Sequence, residues 1–144
     1  MTTGNEEDFE LHPALAADCA VVGDLPLCRV LLMGDRNYPW LILVPRRPGL
    51  REIHDLAPAD LARFWAESAL LGRALMAHFG GHKLNVAALG NVVPQLHVHH
   101  IVRFTGDPAW PRPVWGVVPA VRYTDAERDA CCAALRELLG VGPT

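Results

Sequence analysis

The sequence has little of what would tie it to a membrane, a nucleic acid or a secreted disulfide scaffold. No apolar run approaches the roughly 20 residues of a membrane helix, and Met1 to Glu10 is polar and acidic, unlike a signal peptide. No membrane partner is expected. Basic clusters are also missing. Thirteen Lys and Arg stand against 16 Asp and Glu, for a net charge of −3, and the Arg46-Arg47 pair is too short to neutralise a run of phosphates. A nucleic-acid partner is not expected, although a small polyanion remains open because a pocket needs only one or two cations. The four cysteines, Cys19, Cys28, Cys131 and Cys132, include no C-x-x-C pair. They read as free thiols in a reducing, cytoplasmic setting. There is no internal repeat and no linker that would split the chain.

What is present is enough apolar material for one core. The 144 residues are 51% hydrophobic, and twelve Pro and twelve Gly imply many turns between short elements. Residues 1–10 read as a mobile tail and His12 to Ala20 as a short helix, leaving 11–144 as a single domain. Leu27 to Met33 and Trp40 to Val44 are apolar runs of strand length around a Gly34-Asp35-Arg36-Asn37 turn, which predicts a hairpin. Pro58 suits a first helical position. Leu61, Phe64, Trp65, Ser68, Leu71, Leu75 and Phe79 then mark one helical face, and Gly80-Gly81 ends the helix. Leu84 to Leu89 and Gln95 to Phe104 are further strands. The prolines between Asp107 and Pro119 exclude regular structure there. Thr124-Asp125-Ala126-Glu127 is a capping box, opening a last helix with Cys131, Leu135, Leu138 and Leu139 inward. The order hairpin, helix, hairpin, helix implies an α+β fold with one antiparallel sheet.

The segment richest in chemistry runs from Asn91 to Phe104. Alternation along a strand places Gln95, His97, His99, Ile101 and Arg103 on one face and Leu96, Val98, His100, Val102 and Phe104 on the other. The second set is apolar apart from His100 and is expected to face the core. The first is polar and is expected to face water or a ligand. Two imidazoles at i and i+2 on such a face suit nucleophilic catalysis at phosphorus, in which one ring attacks while its second nitrogen is held as a donor. The other ring would stabilise phosphate charge or protonate a leaving group. A His-x-His pair is equally a Zn or Cu site or plain surface decoration.

Gln95-Leu-His97-Val-His99-His-Ile resembles the histidine triad (HIT) signature, His-φ-His-φ-His-φ-φ, where φ is apolar. The surroundings resemble the same family over roughly residues 25–105: Leu41-Ile-Leu-Val-Pro45-Arg-Arg ahead of the helix, His54-Asp55-Leu56 at its opening, and Asn85 and Gly90 before the histidines. The resemblance implies a HIT-like fold with a long central helix and a C-terminal helix. It also implies a homodimer with a joint sheet, and transfer or hydrolysis of nucleoside monophosphates from dinucleoside polyphosphates, phosphoramidates or acyl-nucleotides. It implies that His97 is the nucleophile, with His99 and Gln95 completing the catalytic set. Asn85 would lie near the nucleotide phosphate and Asp35 would contact ribose, where a plain turn role is the competing reading. Arg103 would grip phosphate through its guanidinium fork or else sit solvated at the strand end.

The chain departs from the family pattern at three places. Gln95 stands where the first triad histidine would be and cannot carry a proton charge. Val92 stands where some branches place a hydroxyl or amide. His100 occupies a usually apolar position and is expected to be structural, either neutral with a hydrogen-bond partner or at a dimer seam. Valine there should preserve activity and allow a gain in stability. Trp110 and Trp115 read as packing anchors, with closure of a nucleotide pocket as the alternative. No cofactor is required, although Mg²⁺ could accompany a polyphosphate. A nucleotide-binding protein with little turnover, and a metal-binding protein through His97 and His99, are the competing functions.

Overall fold

The computed structural model describes residues 6–144. Five strands form one antiparallel sheet: β1 (Cys19–Asp24), β2 (Cys28–Met33), β3 (Trp40–Pro45), β4 (Lys83–Ala87) and β5 (Val98–Arg103). Their spatial order is β1-β2-β3-β5-β4. Among the described residues the α-helices are α1 (Pro13–Asp18), α2 (Pro58–Phe79) and α3 (Asp125–Leu139). The α2 helix carries the chain from β3 to the far edge, and β5 returns between them. This is the antiparallel α+β architecture expected, with one strand more. Cys19–Asp24 follows directly on α1, so the expected helix from His12 to Ala20 stops at Asp18.

Both faces of the sheet are covered. Trp40, Ile42 and Val44 pack with Leu15, Leu31 and Ile101 on one face. Leu41 and Leu43 pack with Phe64, Leu71 and Leu75 of α2 and Cys132 and Leu135 of α3 on the other. A strand buried on both sides needs a continuous apolar run, which is what β3 carries. The second cover is made by the segment before β1 and the irregular stretch after β5, through Ala109 and Val114. The face of His97, expected to be open, is therefore largely closed, and all six residues of β5 are buried.

The α2 helix starts at Pro58, with Asp60 in its first turn held by Nε and Nη2 of Arg47 at 2.8 and 3.1 Å. It ends at Gly80 in the left-handed conformation (φ 64°). Phe64, Ser68, Leu71 and Leu75 are buried as expected, but Trp65 points outward and is about half exposed. Its place is taken by Glu67, whose carboxylate accepts the Leu27 and Cys28 N–H groups at 2.9 and 2.8 Å. The Thr124–Glu127 capping box is formed in both directions. On α3, Leu135 is buried and Cys131 and Leu139 pack against the core as expected, Cys132 is buried with them, and Leu138 is exposed instead.

The expected mobile tail, 1–10, lies outside the described residues as far as residue 5. From Glu6 the chain follows the sheet. Glu6 pairs with Arg46 and Arg47 at 3.2 and 3.6 Å, and Phe9 lies beneath the Arg29 guanidinium. All four cysteines are free thiols. No described helix is long and apolar enough to cross a membrane.

Candidate active site

The ladder between β3 and β5 begins at Leu43↔Val98, so Gln95, Leu96 and His97 precede it. Their carbonyls are not committed to the sheet. His97 uses one of them: its Nδ1 lies 2.6 Å from the Gln95 carbonyl oxygen. A carbonyl only accepts, so Nδ1 carries the hydrogen and Nε2 of the neutral ring keeps its lone pair. His99 is held the opposite way. The indole N–H of Trp40 donates to His99 Nδ1 at 3.0 Å, which places the hydrogen of the neutral ring on Nε2. Burial, and then the neighbouring His97 and His100, push the His99 pKa down to about 4, so the ring is neutral near pH 7. The two rings meet edge to face with centroids 5.1 Å apart.

Both rings line a cleft of about 340 Å³. Its wall is mostly apolar, with Leu15, Met33 and Ile42 on one side and Leu89 to Val93 along the rim; among the described residues Asp18 is the only carboxylate lining it and no Lys or Arg does. Cys19 also lines the cleft, but burial raises its thiol to about 12, so it is not a competing nucleophile. Trp115 closes the back, its ring 5.1 Å from His99 and 5.6 Å from Trp40.

The site is a buried, tautomer-locked imidazole pair in an apolar cleft on an antiparallel sheet covered on both faces. The HIT domain profile matches residues 14–106. The chain belongs to the histidine triad family. Solved histidine triad proteins support this closely. One from Marinobacter aquaeolei VT8 is 54% identical with a TM-score of 0.89, covering 92% of this chain and 96% of its own. One from Bradyrhizobium japonicum is 50% identical with a TM-score of 0.87 (91% and 98%), and one from Sinorhizobium meliloti 1021 is 42% identical with a TM-score of 0.89 (92% and 98%). No curated protein sequence matches the chain. Family membership supports a nucleotide-binding or hydrolase/transferase role.

The fold brings His97 and His99 together but gives the other expected site residues structural partners. Gln95 points its amide at the backbone of Glu10 and His12 rather than at His97. Arg103, expected as a phosphate contact or a solvated strand end, is neither. It is 1% exposed, bound to both carboxylate oxygens of Asp107 at 2.8 and 3.0 Å, and stacked between Tyr38 and Trp110. Its third partner is Asn85 Oδ1, at 2.8 Å, so that amide oxygen is committed as well. Asp35 is buried, and its Oδ1 accepts the N–H groups of Asn37 and Val121 at 3.0 and 3.2 Å; the turn reading holds for it. His100 behaves as expected for a structural residue. It is fully buried, with Nε2 at 2.7 Å from Ser68 Oγ and Nδ1 at 3.0 Å from the Val98 carbonyl, and burial lowers its pKa to about 4. Trp110 packs on His82 and Arg103. Trp115 belongs to the cleft, and Trp40, missed from the sequence, is the partner of His99. Strand alternation could have found Trp40, since Ile42 pairs with His99 and Trp40 lies two residues along the same face.

Proposed function

We propose that the chain cleaves at the α-phosphate of a nucleoside derivative, as a nucleotidyl hydrolase or transferase, through a covalent nucleotide on His97. The dinucleoside polyphosphates, phosphoramidates and acyl-nucleotides handled by the family define the substrate class. The observation that carries the reading is the 2.6 Å bond from His97 Nδ1 to the Gln95 carbonyl, which leaves Nε2 as a lone pair inside the cleft. Nε2 forms a bond to phosphorus as the bond to the leaving group breaks. The positive charge that develops on the ring is stabilised at Nδ1–H by the same carbonyl. Water then attacks phosphorus, the N–P bond breaks, and monophosphate and a proton are released.

His99 divides the remaining work. A neutral imidazole with its hydrogen on Nε2 donates a hydrogen bond to a phosphoryl oxygen but is a poor acid. His99 therefore stabilises phosphate charge, and the leaving group takes its proton from water. The imidazole missing at position 95 is not required, because the part of that residue that touches His97 is its carbonyl, which any residue supplies. No metal is needed as a protein ligand, and Mg²⁺ would arrive with a polyphosphate. The metal-binding reading is disfavoured because two imidazoles are half of a tetrahedral set, and among the described residues no group of three or more His, Cys, Asp or Glu could hold an ion.

The same reading makes the protein a homodimer. β4 is a sheet edge with unpaired backbone groups, and Val86 on it is exposed. A second copy adding its own β4 would satisfy that edge. Sedimentation at micromolar protein should give twice the 15.8 kDa chain, and a monomer mass would count against the dimer. The activity is tested by offering adenosine phosphoramidate, diadenosine polyphosphates and aminoacyl-adenylates and identifying products. Turnover of none of them, with nucleotide still bound, would favour a binding protein instead.

A further inference from the structure

The side chain and the main chain of Gln95 serve different masters. While the carbonyl holds His97, the amide Oε1 accepts the His12 N–H and Nε2 donates to the Glu10 carbonyl, each at 2.8 Å. The amide thus closes on a segment more than 80 residues away in sequence as a rung of a sheet would, one donor and one acceptor side by side. Two residues on, the His12 ring caps α1 by accepting the Ala14 N–H at 3.1 Å. The α1 helix and the residue after it then supply Leu15, Asp18 and Cys19 to the wall of the cleft. Other ties flank it: Glu6 to Arg46 and Arg47 and Phe9 beneath Arg29 lie upstream, and at the far end of α1 the Asp18 carbonyl accepts the Gly34 N–H at 2.9 Å while its carboxylate lies 3.8 Å from Arg122. Gln95 is the side-chain tie at the N-terminal end of α1.

We infer that Gln95 is a latch: its amide fastens the strap of residues 10–18 and seats α1 as a wall of the cleft, setting how tightly nucleotide binds and not how fast His97 attacks. The affinity part rests on the reading of the cleft as a nucleotide site. Residue 95 is then a positioning residue whose chemistry is demanding. A carboxylate would turn a second acceptor toward the Glu10 carbonyl, and alanine would leave both strap groups without a partner.

The test compares Gln95→Ala and Gln95→Glu with the full-length wild type. Hydrogen exchange over residues 12–19 should speed up about tenfold or more in both, with β3 unchanged. KM for adenosine phosphoramidate and Kd for adenosine monophosphate should rise about tenfold while kcat stays within about twofold. A fall in kcat at constant KM would overturn the latch and return residue 95 to the chemistry. Unaltered exchange over residues 12–19, or faster exchange with unchanged affinity, would overturn it too. If the wild type bound no nucleotide, the proposed function and the affinity part would fail together, while the exchange measurement would still decide whether Gln95 holds the strap.

Discussion

His97 and His100 begin from the same local device and end in different roles. Each points Nδ1 at the carbonyl two residues back, Gln95 for one and Val98 for the other. In both, that bond leaves Nε2 as an acceptor. His100 spends it on Ser68 of α2, in full burial, 2.7 Å away. His97 has no such partner for it among the described residues, and its ring lines a cleft of about 340 Å³. A fixed tautomer is therefore not what distinguishes a nucleophile; the space and partners beyond the second nitrogen are. Strand alternation sends one ring under a helix and the other under a strap, and the helix brings a hydroxyl while the strap leaves a pocket.

The comparison breaks most sharply at His97. His97→Ala should lower kcat by about 10³-fold or more while nucleotide binding is largely kept, because the imidazole acts in the transition state and the cleft holds the rest of the ligand. Quenching a labelled substrate during turnover should trap an acid-labile adduct on His97. An adduct on His99, or most of the activity surviving in His97→Ala, would end the mechanism.

Next in size are the residues that set His99. His99→Ala should cost about 10²-fold in kcat, as the loss of one charge-stabilising donor does. Trp40→Phe removes the indole N–H and frees the tautomer, so a smaller loss, of about tenfold, is expected. The two changes act on one hydrogen bond, so the double variant should be no worse than His99→Ala alone. Full additivity would show that Trp40 acts elsewhere.

These residues were not equally legible. The apolar run of β3, the proline start and glycine end of α2, the capping box of α3 and the His97/His99 alternation are local signals, and each survives in the fold. β1 was missed because Cys19–Asp24 follows α1 without a turn residue between them. The burial of Arg103 and the long-range partner of Asp35 were not legible, because the groups that consume them come from loops, Asp107 after β5 and Val121 ahead of α3, whose positions no periodicity encodes. The open face expected for His97 failed for the same reason. Its cover is the strap carrying the short α1 and the irregular stretch after β5, whose placement over the sheet no pattern of periods two and 3.6 encodes.

A pH titration of stability sharpens the comparison further. His99 and His100 are both pushed down to about 4 by burial, whereas unfolded histidine titrates near 6.5. Between those values the unfolded chain binds more protons than the folded one. Stability should thus be constant from about pH 7 to 8, fall as pH drops from 6.5 toward 4, and lose about 3 kcal/mol for the fully buried His100 alone. Asp107, held near 2, adds little to this loss, because an ordinary aspartate is half-protonated only near 3.8 and most of its share falls below pH 4. Urea midpoints that stay flat from pH 7 to 4.5 would contradict burial of neutral rings.

The smallest expected effect on activity is at His100, and there the stability expected from sequence changes sign. His100→Val should leave kcat and KM within about twofold, since the ring lies across the sheet from the cleft. The single substitution does not fill a purely apolar site, however. It strips Ser68 Oγ of its partner in a buried position, which costs about 1–3 kcal/mol at neutral pH. Replacing both members, as His100→Val with Ser68→Ala, removes the stranded hydroxyl and should recover most of that loss. Either variant should also lack the His100 share of the decline between pH 6.5 and 4, so the double variant should overtake the wild type toward pH 4. If His100→Val abolished turnover in a folded protein, the two faces of β5 would not be separate, and the contrast between the paired and the free imidazole would collapse.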